Sequence, residues 1–318
     1  MSLLEFDSVS VRYFRDGAFF HAVRDLSLMV DEGETLALVG ESGSGKSTLA
    51  RAAVGLTPLS SGAIRVAGQP LPRRGRRPVG VVFQDPLGSL DPRMTIGAAL
   101  EEVLAIHGLA QGPERPKRVA DLLFQVGLAT DTAHLRPKQL SGGQQQRAAI
   151  ARAIAAEPRV LFLDEPVSAL DVSIRAQILR LLADLRERLH ITYVFIAHDL
   201  AVVRQLADRI AVMYRGRLVE VAPAGQFFAD QLHPYSKALI EAVPSIRRPT
   251  LPRHQSQIVN PVSTDDGCVY AHRCPWARSL SFSRHPTLEH THGTRLVACH
   301  YWREIAAETN DVAQPTGR

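Results

Sequence analysis

The run Gly40-Glu41-Ser42-Gly43-Ser44-Gly45-Lys46-Ser47-Thr48 constrains this chain more than any other stretch. It follows residues 34–39, a short apolar segment that reads as a buried strand, and it leads into a helix-forming run from Lys46 to Val54. A strand that turns through glycines into a helix aims successive backbone N–H groups at one point. The positive end of the helix adds to the attraction for an anion. This is a P-loop, in which Lys46 reaches the β- and γ-phosphates of a nucleotide and Ser47 offers its hydroxyl to Mg²⁺. Gly40, Ser42, Gly43, Gly45, Lys46, Ser47 and Thr48 are therefore the candidate nucleotide-binding residues. The matching element is Val160-Leu161-Phe162-Leu163-Asp164-Glu165, an apolar strand that ends in adjacent carboxylates. Asp164 is placed to organise Mg²⁺ and its waters, and Glu165 to polarise an attacking water as general base.

Apolar runs at 79–83, 159–163 and 191–197 are each bounded by glycine, proline or charge and followed by polar or helical sequence, which predicts a largely parallel sheet covered on both faces. The class is α/β. Between Asp85 and Gln139 strand signals vanish and helical patterns, Ile96–His107 and Arg115–Val126, replace them, so an α-helical subdomain is inserted at about 87–150. In Val172–Leu189 one helical face carries Ile174, Ile178, Leu181, Leu182, Leu185 and Leu189, and that face is expected to pack on the sheet. Near Pro244 the pattern changes: Pro249, Pro252 and Pro261 punctuate a polar stretch that opens a C-terminal extension, and Glu308–Arg318 reads as frayed.

Composition excludes several classes. With 22% charged and 45% hydrophobic residues the chain lacks the signature of disorder. No stretch approaches the roughly 20 apolar residues of a membrane span, and MSLLEFDSVS lacks the layout of a signal peptide, so a cytoplasmic protein is expected. The net charge is +5, but the arginines are dispersed; the one dense cluster, Arg73, Arg74, Arg76 and Arg77, reads as a solvated loop, and no nucleic-acid partner is expected. Three cysteines, all beyond residue 260, are too few and too late for a disulfide framework; reduced thiols or a metal site fit better.

Leu140-Ser141-Gly142-Gly143-Gln144-Gln145-Gln146-Arg147 precedes an alanine-rich helical run to Ala156, with Ser141 as N-cap and Pro158 closing it. Two glycines directly after a cap cost helix stability, which makes sense where backbone approaches a ligand closely. At these residues the chain resembles the ABC ATPases, whose signature sequence this is. The resemblance implies a RecA-like P-loop NTPase core with an antiparallel β edge. It also implies a dimer that sandwiches two ATP molecules, each between the Gly40–Thr48 loop of one subunit and Ser141, Gly142, Gly143 and Gln144 of the other. Further landmarks follow in family order: Gln84 as a catalytic and Mg²⁺-binding group, Ser168-Ala169-Leu170-Asp171 with Asp171 at the nucleotide, and His198 as the switch histidine that contacts the γ-phosphate and keeps the water and Glu165 in register. The aromatic that stacks on adenine maps to Tyr13, with Phe20 as the second choice.

Two flanking stretches, Phe83-Gln84-Asp85-Pro86-Leu87-Gly88-Ser89-Leu90-Asp91-Pro92-Arg93 and His233-Pro234-Tyr235-Ser236-Lys237-Ala238-Leu239 leading to Ala242-Val243-Pro244, look like the ATPase subunits of dipeptide, oligopeptide and nickel importers. In that subfamily the first lies beside the groove for the membrane subunit's coupling helix. The resemblance implies a nucleotide-binding domain at 1–232 and an extension at 233–318. It implies two transmembrane permease subunits, a second ATPase subunit of the same or a paralogous chain, and an extracytoplasmic solute-binding protein. It implies a peripheral position on the cytoplasmic face of the inner membrane. The cargo it implies is a di- or oligopeptide or related solute, with nickel or a metal chelate as the alternative; a soluble ABC ATPase acting on ribosomes or DNA is the alternative from another class. Relatives often carry four cysteines in the extension, in some cases ligating an iron–sulfur cluster. Here Cys268, Cys274 and Cys299 are present and the remaining position is Ser281, so a complete Cys₄ site cannot form. His272, His285, His290, His292 and His300 leave zinc, or a cluster with one unusual ligand, open beside a metal-free packed extension.

Overall fold

The computed structural model describes residues 1–15, 17–72, 75, 77–242, 266–291 and 293–312. Arg73, Arg74 and Arg76 of the basic cluster, Val243, Pro244, Pro249, Pro252, Pro261 and His292 lie outside the described residues, as do the side chains of 308–318.

Two sheets organise the chain. The smaller one is antiparallel, built from β1 (Ser2–Arg15), β2 (Ala18–Asp31), β4 (Ser61–Val66) and β5 (Gln69–Pro70) in the order β2-β1-β4-β5. The larger one runs β11-β12-β10-β9-β3-β8-β7-β6, from β3 (Thr35–Val39), β6 (Val79–Val82), β7 (Val160–Asp164), β8 (Thr192–Ala197), β9 (Arg209–Tyr214), β10 (Arg217–Pro223), β11 (Glu289–His290) and β12 (Leu296–Val297). Its centre, β9-β3-β8-β7-β6, is parallel. Every residue of β3, β7 and β8 is buried, which is why these strands read as unbroken apolar runs rather than alternating ones.

The period of two in a strand divides those residues between two cores. Leu36, Leu38, Val160, Phe162, Val194 and Ile196 face the layer shared with the antiparallel sheet and α1 (Lys46–Ala53), where Leu4, Phe6, Val9, Leu49 and Ala53 complete the packing. Ala37, Val39, Leu161, Leu163, Tyr193 and Phe195 face the other side. There the core runs on without a break into the helical insertion: α2 (Pro86–Ser89), α3 (Ile96–Ile106), α4 (Glu114–Gln125) and α5 (Gly142–Ile154), with Leu100, Leu104, Leu122, Leu123 and Ile150 buried. Both expected helices form within the insertion. In α6 (Val172–Leu189) the buried face is Ile178, Leu179, Leu181, Leu182 and Leu185. Leu189, expected on that face, is 39% exposed, because the helix stops at His190 in a left-handed turn and its last residue clears the sheet.

After α7 (Leu200–Leu206) and α8 (Ala224–Ala229), the extension supplies α9 (Pro234–Glu241), α10 (Ser279–Ser283), the strands β11 and β12, and α11 (Trp302–Val312). It is not an appendage. Strand β12 pairs with β10 through Val297↔Glu220 and Leu296↔Val221, so the extension widens the main sheet. The join is polar at its centre: the fully buried Glu220 carboxylate accepts N–H groups from Leu232 (3.1 Å) and His233 (3.0 Å) and pairs with Arg295 at 2.6 Å. Removing one partner of a buried pair strands the other charge, which costs about 3–5 kcal/mol. Arg295→Leu is therefore expected to lower unfolding stability by about that amount in urea titration; an unchanged midpoint would mean the pair contributes nothing.

Candidate functional site

All the catalytic candidates leave the carboxyl ends of parallel strands, so the topology gathers them at one edge of the sheet, the usual place for ligands in such folds. The P-loop follows β3. Gly40 has φ +148°, and a Cβ there would sit 2.1 Å from the Met213 carbonyl oxygen; at Gly45, φ +106°, it would sit 2.2 Å from the Ala22 carbonyl oxygen. Gly43 also has positive φ but faces open space. Backbone crowding thus fixes Gly40 and Gly45, while Gly43 leaves the loop's mouth clear. Lys46 is buried and donates to the carbonyls of Gly40 and Glu41, both at 2.8 Å, and to Ser44 Oγ at 3.1 Å. Burial pushes its ammonium below the ordinary lysine value, against the pull of Glu165, Asp164 and Glu41.

Ser47 Oγ donates to Asp164 Oδ1 at 3.0 Å. This pairing of hard oxygens, a hydroxyl and a carboxylate, suits Mg²⁺. Burial raises the Asp164 carboxyl above the usual range, with the Ser47 hydrogen bond opposing it. A divalent cation there would favour the ionised form. Glu165 follows in a left-handed backbone conformation, φ +50°, held by its N–H to the Ile196 carbonyl at 3.0 Å. That turn carries its carboxylate out of the strand, and His198 Nδ1 lies 3.2 Å from its Oε2. Ser168 Oγ donates to the Glu165 carbonyl (3.1 Å) and is met by Gln84 Nε2 at 3.4 Å, so Gln84 from the β6 end joins the same cluster.

Asp171 caps α6, accepting from Ile174 N–H at 3.0 Å and Ser173 Oγ at 2.9 Å; the Ile174 bond leads in holding its carboxyl below the usual range. Arg175, which no motif singles out, donates to Asp199 Oδ2 (3.2 Å) and the Leu170 carbonyl (3.4 Å). It ties the Ser168–Asp171 loop to the segment after His198, around a shallow open pocket bordered by Glu165 and His198. Ser141 caps α5 in a capping box: its N–H donates to Gln144 Oε1 at 3.0 Å and its Oγ accepts Gln144 N–H at 3.4 Å. A Cβ on Gly143 would come within 2.7 Å of Ile174 Cγ2, whereas Gly142 meets nothing closer than 3.8 Å. Gly143 is thus needed for α5 to pack on α6, which is a structural reason besides ligand approach. Tyr13 and Phe20 are cross-strand partners with ring centroids 5.7 Å apart, so the two adenine-stacking candidates form a single aromatic face.

The three C-terminal cysteines, Cys268, Cys274 and Cys299, are free thiols. Among the described residues no group of three or more His, Cys, Asp or Glu is arranged to hold a metal ion. Ser281 is buried; its carbonyl takes the Cys268 N–H at 2.7 Å and its Oγ accepts the Arg278 N–H at 3.3 Å. Burial pushes the Cys274 and Cys299 thiols up to about 11 and about 12, so both are held protonated in the metal-free protein.

A family model described as ABC transporter matches residues 23–168, and one described as oligopeptide/dipeptide transporter, C-terminal region, matches residues 219–279. The di/tripeptide transport ATP-binding protein DppF of Pseudomonas aeruginosa is 44% identical over 303 residues, which are 92% of this chain and 94% of that protein. The chain belongs to the ABC transporter ATPase family. The oligopeptide transport ATP-binding protein AppF of Bacillus subtilis is 38% identical over 322 residues, 95% of this chain and 98% of its own length. Among solved structures, a dimeric ATP-binding cassette in a post-hydrolysis state with ADP and Pi aligns with a TM-score of 0.62 at 32% identity, over 70% of this chain and 99% of that one. This ABC ATPase is accordingly an ATP hydrolase on a P-loop NTPase fold.

Proposed function

We propose that this ATPase drives a peptide importer, closing a head-to-tail dimer when ATP binds and reopening it on hydrolysis. The observation that carries the reading is the Glu165–His198 pair, set beside Lys46 and the Ser47–Asp164 couple at one sheet edge. Lys46 and the N–H groups of Gly43–Thr48 hold the β- and γ-phosphates. Ser47 and Asp164, with Gln84 nearby, would hold Mg²⁺, which when bound neutralises charge on the β- and γ-oxygens. Glu165 takes the proton of the attacking water, and His198 fixes the carboxylate and senses the γ-phosphate. Tyr13, backed by Phe20, stacks on adenine. Ser141–Gln144 shares no hydrogen bond with this cluster among the described residues, which fits a half-site that acts on ATP bound to a second subunit, with Asp171 beside it.

Relatives named for di/tripeptide and oligopeptide transport support a peptide cargo over nickel. Among the described residues no helix is long and apolar enough to cross a membrane. We assign the path to two permease subunits, the cargo to an extracytoplasmic binding protein, and this chain to the cytoplasmic face. Reconstituted in proteoliposomes with its membrane subunits, the chain should show ATPase activity that rises with peptide-loaded binding protein. Stimulation by nickel-loaded protein alone would replace the peptide assignment, and failure to bind any membrane subunit would favour the soluble class.

A further inference from the structure

Glu41, the second residue of the P-loop, has each of its polar groups occupied, and two of the three belong to the C-terminal extension. Its backbone N–H donates to Tyr235 Oη at 2.7 Å, its carboxylate accepts Arg273 Nη1 at 2.8 and 3.0 Å, and its carbonyl accepts Lys46 Nζ at 2.8 Å. Both extension residues are themselves held. Tyr235 is buried against Tyr214 (4.5 Å between centroids) and Tyr270 (5.4 Å), in the first turn of α9. Its N–H donates to His233 Nδ1 at 3.0 Å, and the His233 N–H ends on Glu220, the buried partner of Arg295. The Arg273 guanidinium lies over Tyr270 and Tyr214, 5.6 and 5.9 Å from the ring centroids. A continuous line of contacts thus joins the sheet-widening part of the extension to the phosphate-gripping lysine.

We infer that the extension is a positioning device for nucleotide binding, with Tyr235 and Arg273 as positioning residues that set Glu41, and through it the P-loop and Lys46, before ATP arrives. A glycine-rich loop is floppy on its own, and ordering it at the moment of binding weakens affinity. A hold from outside the loop removes that penalty. It acts on ATP binding and not on bond cleavage, because neither residue touches the water-activating pair. The inference rests on ATP binding at the P-loop, which the unaltered chain tests by itself.

The experiment compares the full chain with Arg273→Ala, Arg273→Lys, Tyr235→Phe, Glu41→Gln and the Arg273→Ala/Glu41→Gln double variant, measuring steady-state ATPase and binding of a fluorescent ATP analogue. Losing preorganised binding raises KM while leaving kcat at saturating ATP unchanged. A half-exposed ion pair and a single hydrogen bond are each worth about fivefold in an equilibrium constant, so KM and Kd should rise about three- to fivefold both in Arg273→Ala and in Tyr235→Phe. Arg273→Lys, which keeps the charge, should recover part of the loss, and the double variant should be no worse than Arg273→Ala. Unchanged KM and Kd in both Arg273→Ala and Tyr235→Phe, or strictly additive losses in the double variant, would overturn the inference. A wild-type chain that binds no ATP analogue would instead overturn the nucleotide reading beneath it.

Discussion

Replacing Glu165 with glutamine is expected to lower steady-state ATP turnover by about 10²–10⁴-fold, the usual contribution of a positioned general base. The substitution keeps the shape and hydrogen-bonding reach of the side chain, so the left-handed turn at φ +50° and the approach to His198 should survive. What disappears is a group able to take a proton from water. ATP binding should hold or tighten. Glu165 and Asp164 both lie close enough to Lys46 to raise its proton affinity, so they also repel an incoming triphosphate; neutralising one relieves part of that repulsion. The variant should therefore accumulate as an ATP-bound dimer in size-exclusion chromatography while phosphate release falls. Turnover equal to the unaltered chain would remove Glu165 from the role of base. His198→Ala should slow turnover with Glu165 still present, since the carboxylate then loses the imidazole 3.2 Å away.

The nucleotide core was legible in the sequence because its determinants are local. Residues 35–39, 160–164 and 192–197 are covered on both faces, so apolar residues fill nearly every position before the functional Asp164 and the strands announce themselves as runs. The P-loop and the Asp164-Glu165 ending gain meaning from what directly precedes and follows them. The long strands β1 and β2 carry no such motif. Their bulged register, with shifts around Phe6, Val9 and Val11, blurs the alternation by which a half-buried strand is recognised, and only the resemblance supplied an antiparallel edge.

Contacts between residues far apart in the chain were not legible. Arg273 meets Glu41 across 232 positions, and β12 spans only Leu296–Val297, too short to leave a pattern. Cysteine count and spacing likewise gave no account of how deeply the Cys274 and Cys299 thiols are buried. Gly143 is subtler. Its position after a cap suggested backbone exposed to ligand, yet the Ile174 side chain fills the space where a Cβ would go.

Gly40→Ala is expected to abolish ATP binding and turnover, whereas Gly43→Ala should weaken them only modestly, although both positions have positive φ. At Gly43, φ +78°, an added methyl meets nothing within 4 Å, so the cost is the left-handed backbone alone, about 1–2 kcal/mol. At Gly40 the methyl would lie 2.1 Å from the Met213 carbonyl oxygen and 3.0 Å from Ser44 Oγ. Neither is easily moved. The Met213 carbonyl belongs to β9, hydrogen-bonded between β3 and β10, and Ser44 is one of the partners that holds Lys46. The P-loop must then lift off the sheet, and the Gly40 carbonyl that receives Lys46 moves with it. A displacement near 1 Å in a group that orients the reacting phosphate costs about 10²-fold, and here the lysine, the loop N–H groups and the Ser47–Asp164 couple shift together. Thermal unfolding should separate the two consequences. A folded Gly40→Ala chain that retains its melting transition but shows no nucleotide-induced stabilisation places the defect in the cradle, whereas nucleotide binding within about fivefold of wild type would mean that this crowding does not shape the loop.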